Sequence, residues 1–95
     1  MDCKGVRYSR HAIERMFQRS IRPDEIMEVI RSGEVIASYP DDSPYPSALL
    51  LGFVRKVPVH VLVAQERPTG TCFVVTVYRP NPELWSSDFR TRRQP

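Results

Sequence analysis

The sequence predicts an α+β domain, with two N-terminal helices packed on one face of a four-stranded, mainly antiparallel sheet. Two observations carry that prediction. Apolar residues recur at helical spacing before Gly33 and at strand spacing after it. A run of helices followed by a run of strands puts the helices together on one side of an antiparallel sheet. Ninety-five residues suit a single domain over 1–95, since domains run roughly 50–200 residues.

The first helix follows Ser9, a good N-cap, with Tyr8 positioned to staple onto Ile13. Its apolar side is Ile13, Met16, Phe17 and then Ile21. The second starts at Pro23, a favoured first-turn proline, with Asp24 and Glu25 at the positive end of the dipole. Ile26, Val29 and Ile30 form its stripe, and Gly33 stops it. Strands are predicted over 34–39, 47–54, 58–65 and 71–79, where β-branched residues gather. Residues 5–8 have room for a further short strand. Three prolines make 40–46 a loop, 66–70 is a hairpin loop, and Pro80-Asn81-Pro82 closes the last strand.

The composition is 41% hydrophobic, 26% charged and 9% aromatic, which excludes a disordered polymer and a fibrous repeat. The longest apolar run, within 47–54, is far short of the roughly 20 residues of a membrane span. Met1 to Gly5 lacks the apolar stretch of a signal peptide, so a cytoplasmic chain is expected. Cys3 and Cys72 stand far apart without a C-x-x-C pair, and with His11 and His60 they make no zinc spacing. A reduced chain without metal or cofactor is expected, with Cys72 a small core residue. The net charge is +3, unevenly spread: residues 1–22 carry +4, 23–77 carry −3 and 78–95 carry +2. If the two basic ends meet in space, they form a positive patch suited to phosphate; apart, they are ordinary solvated cations.

Strand periodicity sorts the candidate site residues. Val59, Val61 and Val63, with Phe73, Val75 and Val77, are wholly apolar sets and should lie under the helices. His60, Thr76 and Tyr78 then share the opposite face. A loop over 66–70 pairs His60 with Thr76 and sets Tyr78 diagonal to it, close enough for one ligand to touch both. His60 is either a chemical group on an open face or a semi-buried histidine bonded to a neighbour. On the first helix His11, Arg15, Arg19 and Arg22 fall near one stripe, which suits phosphate or a solvated arginine face. The tail mixes Trp85 and Phe89 with Arg90, Arg92 and Arg93. That mixture fits single-stranded RNA, or aromatics packed back on the sheet with a frayed arginine end.

The segments Tyr8-Ser9-Arg10-His11-Ala12-Ile13-Glu14-Arg15-Met16, Gly33-Glu34-Val35-Ile36, Tyr45-Pro46, Leu51-Gly52, His60-Val61 and Thr76-Val77-Tyr78-Arg79-Pro80 together resemble the domain-of-unknown-function 4258 family. The resemblance implies a fold similar to RelE/ParE-type toxins of bacterial toxin–antitoxin pairs. It also implies a cognate antitoxin as partner, a small zinc-ribbon protein similar to the MqsA type. The implied activity is metal-independent endoribonuclease cleavage of mRNA, by attack of a ribose 2′-hydroxyl on the adjacent phosphorus. His60 would then be base or acid and Tyr78 the acid or the group orienting the phosphate. His11 would complete an acid–base pair, and Arg15 and Arg79 would stabilise the phosphorane. Thr76, Arg19 and Arg22 would bind the RNA. RelE toxins rely on Lys and Arg, whereas two histidines stand out here. The competing readings are a ParE-like toxin with a protein target and a non-catalytic RNA- or protein-binding module.

Overall fold

The computed structural model describes residues 1–94. A short strand, β1 (Gly5–Tyr8), leads into α1 (Arg10–Arg19). The Ser9 side chain accepts the Ala12 N–H at the start of α1, and its hydroxyl donates to the Val75 carbonyl at 2.8 Å. That pair of bonds fixes the helix start on the sheet. The helix ends at Ser20 in the left-handed conformation (φ 53°). α2 (Pro23–Ser32) opens as expected on Pro23, and the Arg22 backbone N–H donates to the Glu25 carboxylate at 3.0 Å. It stops at Gly33, which is extended (φ −72°). Glycine is needed there for closeness, because a Cβ would meet the Val29 carbonyl oxygen.

Four further strands follow: β2 (Glu34–Tyr39), β3 (Ser47–Val54), β4 (Val57–Glu66) and β5 (Thr71–Tyr78). The sheet order is β1-β5-β4-β3-β2. It therefore has five strands and is mixed, not four and antiparallel. The extra strand is β1, which lies parallel to β5 at one edge. The two helices carry the chain from β1 at one edge of the sheet to β2 at the other, and β5 returns beside β1 only after β2, β3 and β4. No helix among the described residues is long and apolar enough to cross a membrane.

The two helices cover one face. Ile26, Val29 and Ile30 are buried as predicted, against Leu50, Val61 and Val63. The stripe expected of α1 holds in part: Ile21, just beyond the helix, is buried and Met16 packs against the core, but Ala12 takes the buried place within the helix, while Ile13 is 43% and Phe17 83% exposed. α1 sits over β5 at the side of the sheet, so only a narrow strip of it reaches the core, and the small Ala12 side chain lets it approach.

The β4–β5 register also differs. The loop is one residue shorter than predicted, so Glu66 pairs with Thr71, and a bulge leaves Val75 without a partner between Val74 and Thr76. Cys72, Val74 and Val77 consequently face the helices, whereas Phe73 turns to the other face and stacks on Tyr45 at 5.5 Å. The two one-residue shifts add to two, which restores the original parity beyond the bulge. His60 stays on the face opposite the helices and pairs directly with Tyr78.

Part of that second face is covered by the tail. From Asn81 it turns across β4 towards β2, where Arg90 forms an ion pair with Glu34 at 2.8 Å. Trp85 pairs with Arg92, and the Arg93 N–H donates to the Leu84 carbonyl at 2.8 Å, so the arginine end is ordered and not frayed. The reduced state expected for the cysteines is corrected as well. Because β1 runs beside β5, the Cα atoms of Cys3 and Cys72 lie 5.7 Å apart, and the two are joined as a disulfide.

Candidate nucleic-acid interface

His60 and Tyr78 meet as direct cross-strand partners, with His60 Nδ1 3.2 Å from the Tyr78 hydroxyl. The ring is nevertheless wholly buried. Trp85 packs edge-on against it with centroids 4.4 Å apart, and Nε2 lies 2.9 Å from the Phe89 carbonyl oxygen. A carbonyl only accepts, so Nε2 carries the proton, and the neutral ring accepts the Tyr78 hydroxyl at Nδ1. Burial lowers the His60 pKa, opposed in part by the Phe89 hydrogen bond. Phe89 is held at φ 62°, which costs an L residue roughly 1–2 kcal/mol; the segment keeps this conformation to aim its carbonyl at the ring. Both nitrogens of His60 are thus committed to the protein's own groups.

The phenol of Tyr78 reaches past His60 into a cleft of about 430 Å³. Three elements build this cleft. His11, Arg15 and Arg19 come from α1, at the helical spacing the sequence shows. Thr76 and Tyr78 come from the C-terminal end of β5, and Arg79 follows where that strand has ended and alternation no longer dictates its direction. Trp85 and Arg92 come from the tail. No Asp or Glu lines it, and Arg15, Arg19, Arg79 and Arg92 form no ion pair among the described residues. Of the other arginines, Arg10, Arg22, Arg55 and Arg90 are paired with carboxylates, Arg55 with Glu25 at 2.7 Å and Arg22 with Asp24 at 3.1 Å, whereas Arg7, Arg31, Arg67 and Arg93 form no ion pair among the described residues.

Local contacts set the cations in place. Arg15 Nε points to His11 Nε2 at 3.5 Å, and Arg15 Nη1 donates to Gln18 at 2.9 Å. Arg79 donates to the Arg19 carbonyl, tying the end of β5 to the end of α1. Burial raises the Tyr78 pKa, with the nearby Tyr39 hydroxyl adding to the rise and Arg92 opposing it. Such a phenol keeps its proton and donates it only to a strong base.

The structure therefore brings His11, Arg15, Arg19, Thr76, Tyr78 and Arg79 together and leaves two predicted residues out. Arg22 lies beyond the Ser20 cap, engaged with Asp24, and His60 lies behind Tyr78. Sequence reasoning missed Arg92 and Trp85 as members of the cleft. The signal was their alternation of aromatic and cation, but the turn at Asn81 that swings them back is a tertiary feature. Among the described residues no three of His, Cys, Asp and Glu come together as a metal-binding group.

Residues 8–79 match the model of the family DUF4258, a domain of unknown function. The chain belongs to that family. No curated protein and no solved structure matches it.

Proposed function

We propose that the cleft binds the phosphodiester backbone of single-stranded RNA and that the chain cuts the strand there. The observation that supports this is the convergence of four carboxylate-free guanidinium groups on a histidine and a phenol in one cleft. Guanidinium groups hold phosphate oxygens through paired, charge-assisted hydrogen bonds. They also stabilise the extra charge of a pentacoordinate phosphorus. His11, which faces Arg15, takes the proton of the ribose 2′-hydroxyl. That oxygen bonds to phosphorus, and the bond from phosphorus to the 5′-oxygen breaks. The Tyr78 hydroxyl turns from His60 and protonates the leaving oxygen, an alkoxide far more basic than phenolate. His60 positions that phenol. The products are a 2′,3′-cyclic phosphate and a 5′-hydroxyl, and solvent returns the protons.

The resemblance to RelE/ParE-type toxins extends this reading: the chain would be the toxin of a type II pair, held inactive by a small zinc-ribbon antitoxin. The second reading is a non-catalytic RNA-binding module. The burial of His60 favours it, since one of the two histidines is withdrawn from chemistry.

Incubating the purified chain with labelled single-stranded RNA in EDTA tests both. Cyclic-phosphate ends that disappear in His11→Ala are the expected result. Salt-sensitive binding with intact RNA selects the binding module. Binding should weaken linearly in log–log form, and Arg15→Ala should reduce the slope by roughly 0.7, the value of one phosphate contact on a single strand. No binding at low salt overturns both readings.

A further inference from the structure

We propose that the hollow beside the cleft, on the uncovered part of the sheet, is a base-reading subsite that selects guanine next to the bound phosphate; this rests on the RNA reading above. The hollow measures about 610 Å³ and shares Thr76 and Tyr78 with the cleft, so one nucleotide chain runs from cleft to hollow. Its chemistry is opposite in kind. Leu49, Leu62 and the ring of Tyr39 give it apolar surface, Asp41 and Asp42 give it carboxylates, and no Lys or Arg lines it. Such a surface repels a second phosphate and accepts an uncharged flat ring. Tyr39 is 45% exposed and offers a stacking partner that every base can use.

The carboxylates then choose among the bases. Guanine puts two donors, N1–H and N2–H, side by side on its Watson–Crick edge, where one carboxylate accepts both. Adenine and cytosine place an acceptor beside their amino group, and uracil sets its one N–H between two carbonyls. Asp42 is already engaged, accepting from the Ser47 hydroxyl at 2.7 Å and the Ser43 N–H at 3.3 Å. Asp41 has no hydrogen-bond or ion-pair partner among the described residues, so its two oxygens are free for the pair of donors.

The test uses fluorescent 2′-deoxy pentamers that cannot be cut, with one central base varied among uridines. At low salt the pentamer with central guanine should bind roughly tenfold tighter than the other three, the size of one good base contact. Asp41→Asn turns an amide N–H₂ towards the guanine donors and should bring that pentamer down to the level of the others, with the uridine pentamer unchanged. Equal, salt-sensitive binding of all four overturns the subsite and leaves the cleft reading standing. A guanine preference that survives in Asp41→Asn also overturns it. Failure of every pentamer to bind overturns subsite and cleft together.

Discussion

His60 keeps its Nε2 proton because the Phe89 carbonyl opposite it has none to give, and it stays neutral because burial disfavours the imidazolium. The folded pKa therefore lies below the ordinary value of about 6.5. As pH falls, the unfolded chain takes up this proton before the folded chain does. The contribution to stability is complete above about pH 6.5 and is lost as pH drops through that value towards the folded pKa. Urea midpoints should decline between about pH 7 and pH 5, and His60→Gln should flatten the decline. The carboxylates with lowered pKa values, Glu34, Glu66 and Asp88, titrate below this window and do not mask it. Strand alternation alone located this residue on the correct face beside Tyr78. What no periodicity reveals is that Trp85, twenty-five residues on, folds back over the ring.

At the level of elements, the two helices show how far an apolar pattern can be trusted. Both carry helical spacing, but only α2 lies over the middle of the sheet. Its stripe fills the core, and Gly52 on β3 lets it approach, since a Cβ there would come within 2.7 Å of Val29 Cγ2. Ile26→Ala should cost about 2–5 kcal/mol in chemical denaturation, as a buried large-to-small change does. Phe17→Ser on α1 should stay within about 0.5 kcal/mol. The sequence shows the stripes but not which neighbour each will find. The same limit applies to the β4–β5 hairpin. Its strands were legible from their β-branched residues, while the bulge at Val75 was not, because no glycine or proline marks it. The side chains of Cys72 and Phe73 exchange faces on that account, yet those of His60 and Tyr78 do not.

Across the whole molecule, the uneven charge of the sequence finds its explanation. The basic ends meet: α1 supplies three residues of the cleft, and the stretch after Tyr78 supplies Arg79 and Arg92. The acidic middle contributes the neighbouring hollow. The Cys3–Cys72 disulfide closes the chain across 69 residues and anchors the N-terminal segment to β5. Cys3→Ser should lower stability by about 2–4 kcal/mol, read from denaturation without reductant. Adding reductant should bring the parent chain to the same midpoint.

The family match stops at Arg79, and Trp85 and the Phe89 carbonyl, which close over the imidazole beside Tyr78, come after it. Another sequence beyond this point would leave the histidine–tyrosine couple on its strands but give it another cover, or none. Exchanging that stretch would change the shelter of the ring without touching the scaffold, so the least framework-like part of the chain sets how far the imidazole meets solvent.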